Sequence, residues 1–160
     1  MAYFPLFVNL EEKPILVIGG GTIAERRIVS LLEFGCKIVL ISPKVTDKLE
    51  QLAETGKIIW KNETYSKECL NSFSWYEGKR WTFVLAAALE HVNGDVVCDC
   101  KALGIPVNNA SKKEDCDFYF PGLIKEKEMV IGVTSGGSDH RFVAALSKKI
   151  RELVQKTWQV

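Results

Sequence analysis

The residues in this chain best suited to chemistry are three consecutive glycines, Gly19-Gly20-Gly21, followed by Thr22-Ile23-Ala24. A tight turn from a strand into a helix needs backbone angles that glycine takes without strain. Its lack of side chains lets anionic oxygens come close to backbone N–H groups, and a helix opening at Thr22 and Ile23 adds unpaired donors and the positive end of its dipole. Gly19 and Gly21 fit the first two positions of the G-x-G-x-x-G/A spacing. Ala24 stands at the third, where a small residue allows close helix–strand packing. This is the chemistry of holding a pyrophosphate, and so of binding a dinucleotide. The Asp or Glu that commonly ends the second strand and binds the ribose 2′-hydroxyl is absent, and the stretch reads Ile41-Ser42-Pro43-Lys44. Ser42 can reach a ribose through its hydroxyl or backbone, and Lys44 would tolerate a 2′-phosphate. These residues alone leave NAD and NADP both open.

Other reactive side chains are scattered. The five cysteines are odd in number and irregular in spacing, which is not a disulfide framework. Cys98 and Cys100, two apart on a helix, point in separate directions and do not share a metal. Of the two histidines, His91 follows Glu90 and His140 follows Asp139. Both read as residues at helix starts, His140 with the alternative role of proton acceptor or metal-side ligand. Without a third converging ligand, no protein metal site is expected.

The elements that must position the glycine turn are legible as alternating patterns. Ile15–Ile18 is a continuous apolar run, the signature of a buried parallel strand. From Thr22 the period becomes helical, with Gly35 as the expected C-terminal cap. Lys37–Ser42 reads as a second strand stopped by Pro43, 46–54 as a helix, Lys57–Trp60 as a strand, and Ser66 as the cap of a brief helix. Asn71–Arg80 is a polar and aromatic connection, Trp81–Ala87 a strand, His91–Leu103 a helix stopped by Gly104, and Ile105–Asn108 a strand. Such alternation predicts a Rossmann-type α/β fold with a parallel sheet and right-handed crossovers. After Asn109 the texture changes. Phe118-Tyr119-Phe120 with Leu123-Ile124, the polar turn 125–128 and then Met129–Thr134 predict a hairpin. An amphipathic helix over Arg141–Val154 follows. The expected domains are 1–112, the dinucleotide-binding sheet, and 113–160, a small hairpin-plus-helix unit.

Bulk composition narrows the function classes. With 47% hydrophobic and 26% charged residues and a net charge of +1, no long-range attraction to nucleic acid or to an acidic membrane is expected. No apolar run approaches the roughly 18 residues of a membrane span, and 1–10 lacks the marks of a signal peptide. The expectation is a cytoplasmic, reduced protein.

Several separated motifs, in order and in register, resemble the N-terminal, NAD-binding part of the siroheme synthase and precorrin-2 dehydrogenase family. They are Phe4-Pro5-Leu6-Phe7, Gly19–Arg27, Leu31-Leu32-Glu33-Phe34-Gly35, Ala86-Ala87-Ala88 with Val92-Asn93, Pro106-Val107-Asn108-Asn109, Asp117–Pro121, Val133–Gly137 and Ser147–Arg151. The resemblance implies NAD-dependent oxidation of precorrin-2 to sirohydrochlorin. It also implies a homodimer that exchanges the segment after the sheet domain. It places Ala86 and Ala87 beside the cofactor, and Asn108, Ser135, Gly136, Gly137 and Arg141 at the tetrapyrrole. The chain departs from the family pattern in three ways. Ser111 stands where the family often has a catalytic Asp, and a serine hydroxyl is too weak to act unaided as a general base at neutral pH. Glu114, Asp115 and Asp117 are the nearby carboxylates that could replace it. Ala86-Ala87-Ala88 replaces Ala-Thr-Asp, and the family's C-terminal helical domain is expected to be absent after Val160. Ferrochelatase activity is therefore not expected, while hydride transfer rests chiefly on the cofactor. An acidic macrocycle would be met by cations, with Lys112, Lys113, Lys125, Lys127 and Arg141 as candidates. The competing readings are an NAD-sensing regulatory module and a tetrapyrrole-binding chelatase.

Overall fold

The structure is a computed structural model that describes residues 3–71 and 80–157. The expected connection 71–80 therefore falls largely outside the described residues. Five short apolar runs form one parallel sheet: β1 (Pro14–Ile18), β2 (Lys37–Ile41), β3 (Ile59–Lys61), β4 (Phe83–Ala86) and β5 (Val107–Asn109). Their order is β3-β2-β1-β4-β5, and β1 pairs Ile15–Ile18 with Ile38–Ile41 on one side and with Phe83–Ala86 on the other. All of β1 is buried, which is why its sequence is a continuous apolar run rather than an alternating one.

Helices α1 (Thr22–Leu32), α2 (Asp47–Glu54), α3 (Glu68–Asn71) and α4 (Glu90–Leu103) connect the strands. Ala24, Ile28 and Leu31 form the buried stripe of α1. Thr46 caps α2 by accepting from Leu49 N. Gly104 ends α4 in the left-handed conformation, φ +65°, as expected of a C-terminal glycine. This is the Rossmann-type arrangement read from the sequence.

Two local expectations change. Helix α1 stops at Leu32 and Glu33 is its cap. Phe34 N and Gly35 N then bond Leu31 O and Leu32 O in a tighter turn, and Gly35, at φ +69°, accepts from Glu12 N as the chain reverses into β2. Phe118-Tyr119-Phe120 is not strand. Asp117 Oδ2 accepts from Val107 N at 2.8 Å, and Asp117 N donates to Val107 O at 2.9 Å. Phe118 O accepts from Asn108 Nδ2 at 2.7 Å, and its ring packs on Phe83 with centroids 4.9 Å apart. These bonds tie the chain to β5 as far as Phe118.

The chain forms two compact units. One is Pro5–Phe118, and the other comprises Tyr119–Val160 with the first four residues. In the second, β6 (Gly122–Glu126) and β7 (Met129–Val133) make an antiparallel hairpin closed by Lys127-Glu128, and α5 spans His140–Thr157. Helix α5 packs on β6: Gly122 lies so close to it that a methyl there would sit 2.8 Å from Ser147 Oγ and from Val143. Among the described residues no helix is long and apolar enough to cross a membrane.

Candidate functional site

The strand order reverses between β1 and β4, so a crevice opens outside their carboxyl ends, where ligands of open α/β sheets bind. The glycine turn sits at this point. Gly19 N donates to Ile41 O, and Ala87 N donates to Ile18 O, extending both ladders. Gly19 adopts φ +103°, and a Cβ there would lie 2.3 Å from Ala87 O. A Cβ on Gly20 would lie 2.4 Å from Lys44 O. Gly21 differs, since a Cβ there would meet nothing within 4 Å. Gly21 is the N-cap of α1 and offers no side-chain cap. Gly21, Thr22 and Ile23, which open the helix, are all exposed, and an uncapped, accessible helix N-terminus is where an anion is received. The cradle fits the pyrophosphate expected there.

The loop after β2 borders this turn. Thr46 N donates to Gly20 O at 3.1 Å, and Thr46 Oγ1 donates to Glu25 Oε2 at 2.5 Å. Ser42 is buried, its hydroxyl donates to Lys44 O at 2.6 Å, and its carbonyl accepts from Trp60 Nε1 at 2.9 Å. With its proton committed, the Ser42 hydroxyl has only acceptor capacity left for a ribose. Pro43 and Lys44 are exposed beside it.

On the other flank, Ala86 is buried, and Ala87 and Ala88 lead into α4. Asn93, fully buried, accepts from Ala88 N at 2.8 Å and donates to Ala88 O at 3.1 Å and to Ser111 Oγ at 2.6 Å. Ser111 N in turn donates to Asn109 Oδ1. Asn108 is buried, and its Oδ1 accepts from Arg27 Nη1 of α1 while its Nδ2 holds Phe118 O. Burial draws the Arg27 guanidinium below its usual pKa, with the neighbouring charge of Arg26 adding to the effect.

The carboxylates near Ser111 have separate fates. Asp117 is spent on Val107 N at the start of β5, away from the crevice. Asp115 reaches Asn109 Nδ2 at 3.4 Å and pairs with Lys112 at 3.7 Å. Glu114 is exposed. Burial pushes the Cys36 thiol up to about 11 and the Cys100 thiol up to about 12, so these two stay protonated at neutral pH. Cys116 is also raised, chiefly by burial, and its Sγ bonds both N and O of Asn109 at 3.2 Å. Among the described residues no three His, Cys, Asp or Glu side chains group as a metal site.

The sheet unit therefore assembles Gly19–Ile23, Ser42–Lys44, Ala86, Ala87, Asn108 and Ser111. Ser135, Gly136, Gly137 and Arg141 lie in the other unit. There Ser135 Oγ accepts from Asp139 N at 3.0 Å, Gly136 and Gly137 take φ +65° and +79°, and Asp139 caps α5 by accepting from Phe142 N at 2.8 Å. Arg141 is exposed in the first turn. His140 opens α5, and its side chain lies outside the described residues. Asn93 and Arg27 belong to the site without any motif that gives them a role in the sequence. The available signal for Asn93 was its helical phase, which it shares with the buried Val96, Val97 and Cys100.

A family model described as NAD(P)-binding matches residues 6–122. The chain belongs to this NAD(P)-binding family. Among curated proteins, it is 35% identical over 157 residues to the multifunctional siroheme biosynthesis protein HemA of Ruminiclostridium josui, covering 96% of this chain and 29% of that protein. It is 33% identical over 159 residues to a siroheme synthase of Saccharophagus degradans, covering 98% and 32% respectively. The chain thus spans about a third of the length of these relatives. A solved structure of SirC, precorrin-2 dehydrogenase, shares the fold with a TM-score of 0.68 at 23% identity, covering 97% of this chain and 71% of that one. The resemblance to the siroheme synthase family read from the sequence is upheld by these matches.

Proposed function

We propose that the protein oxidises precorrin-2 to sirohydrochlorin with NAD, as a cytoplasmic homodimer. The observation that carries this reading is the cradle itself. Gly19 and Gly20 are pressed against the backbones of Ala87 and Lys44, while a methyl on Gly21 would meet nothing and the uncapped start of α1 at Thr22 and Ile23 is exposed. The names of the relatives supply the substrate. Bound NAD would accept a hydride from the macrocycle.

The chain's own part is binding and orientation. Gly19, whose N–H is held by Ile41 O, lets the turn pack closely, backbone donors from Gly20 to Ile23 hold the pyrophosphate, and Ser42, Pro43 and Lys44 flank the adenosine ribose. Ala86 and Ala87 wall the nicotinamide half without adding charge. Asn108 acts on the macrocycle through the segment that it ties to Arg27 and Phe118. Ser135, Gly136, Gly137 and Arg141 supply backbone and cationic contacts to its carboxylates, a favourable pairing for arginine. The homodimer is supported by α5, which leaves Phe142 and Leu153 60% and 65% exposed.

The test is incubation of the purified protein with precorrin-2 and NAD, following sirohydrochlorin absorbance and NADH together. Both should rise in equal amounts. Tight NAD binding without turnover would overturn the enzyme and favour the nucleotide-sensing module. Ferrous or cobaltous ion added to sirohydrochlorin tests chelation separately, and no insertion above the uncatalysed rate is expected.

A further inference from the structure

The hydrogen-bond polarity around Ser111 is determined by one unambiguous group. Ala88 N can only donate, so the atom of Asn93 that faces it at 2.8 Å must be the carbonyl oxygen. The Asn93 amide nitrogen then faces Ala88 O and Ser111 Oγ, at 3.1 and 2.6 Å, and gives one hydrogen to each. Ser111 Oγ is therefore an acceptor toward the protein interior. Among the described residues its own proton meets no acceptor, and the residue is exposed at the carboxyl-end side of the sheet. Asn93 is fully buried and both ends of its amide are satisfied, so the arrangement is held rigidly.

We propose that Asn93 is a positioning residue that occupies the Ser111 oxygen from behind, so that Ser111 presents its proton to the crevice and donates a hydrogen bond to an acceptor oxygen of the bound ligand. The acceptor is a carboxylate oxygen of the acidic macrocycle or the carboxamide oxygen of the nicotinamide, and either would be matched by a neutral donor. Ser111 thus binds and orients, and takes up no proton. The inference rests on the crevice being the ligand site of the proposed dehydrogenase.

Equilibrium dissociation constants for NAD and for sirohydrochlorin, measured separately, test it without requiring turnover. Ser111→Ala should weaken one of the two by about tenfold, the loss of one hydrogen bond to a polar or charged group. Ser111→Thr, which keeps the donor, should restore it. Asn93→Asp keeps the acceptor for Ala88 N but places a carboxylate oxygen beside Ser111, which captures the hydroxyl proton. It should weaken the same ligand by a similar factor, and the double variant should be no weaker than either single one. Weakened NAD binding assigns the acceptor to the carboxamide, and weakened sirohydrochlorin binding assigns it to the macrocycle. Ser111→Ala binding both ligands within about twofold of wild type overturns the proposal, as does additivity in the double variant. If Asn93→Asp fails to fold, the contrast between Ser111→Ala and Ser111→Thr decides alone. A wild-type protein that binds NAD but never oxidises precorrin-2 refutes the proposed function and leaves these binding comparisons readable.

Discussion

The two compact units solve the problem of burial differently. The sheet unit, Pro5–Phe118, hides β1 completely and packs Leu16, Ile18, Val39, Ile41, Val84, Val96 and Val107 into one cluster. In the hairpin and helix of the other unit, only Ile124 and Ser147 are buried among the described residues, and α5 leaves Phe142 and Leu153 largely exposed. Two strands and one helix cannot enclose an apolar stripe on both sides. The contrast teaches that the first unit carries its own stability and a site built on it, whereas the second has apolar surface to offer to something else.

The largest expected effect strikes the first unit. Gly19→Ala combines a φ of +103° with a methyl 2.3 Å from Ala87 O, a backbone strain of about 1–3 kcal/mol before the clash is counted. Thermal unfolding should show a large loss of stability together with loss of NAD binding, and an unchanged melting profile would contradict the packed turn. Phe142→Glu probes the second unit. It should shift sedimentation from dimer to monomer while the far-UV spectrum of the sheet unit persists, and a monomeric wild type would remove the dimer altogether.

Gly21→Ala separates stability from binding inside the first unit. Because a methyl there meets nothing, stability should change by no more than about 1 kcal/mol, the scale of an N-cap substitution. NAD affinity should nevertheless fall severalfold, as read by calorimetry. Equal NAD affinity would mean that the open space is not where the phosphates lie. The smallest effect is on pH dependence. Cys36 is raised from 9.0 to about 11 by burial, so the folded form disfavours the thiolate. Its contribution is complete below pH 9 and is lost as the pH rises through that window. Denaturant melts at rising pH should decline there, and Cys36→Ala should flatten part of the decline.

Much of the first unit was legible because buried parallel strands leave unbroken apolar runs, as in Ile15–Ile18, and because Ala24, Ile28 and Leu31 keep a helical phase. The end of α1 is not marked by Gly35, because a tighter turn takes over before the glycine. Phe118-Tyr119-Phe120 looked like strand by composition. Its conformation is decided by side chains distant in sequence, Asn108 and Phe83, which no local pattern reveals. The candidate site divides in the same way. Glycine spacing is a local signal and was visible, whereas the Asn93 tether depends on the loops after β4 and β5 meeting α4, and a polar residue inside an apolar helical stripe was its only trace.

The return of the chain across β5 has a further consequence for how molecules of this protein meet one another. Strand β5 is the last in its sheet, and terminal strands invite pairing with foreign chains and thence aggregation. Here the groups that would do the pairing are already taken. Val107 N and O are engaged by Asp117, and Asn109 N and O by the Cys116 sulfur. A short irregular segment, with no strand of its own, seals that side of the sheet against templated growth.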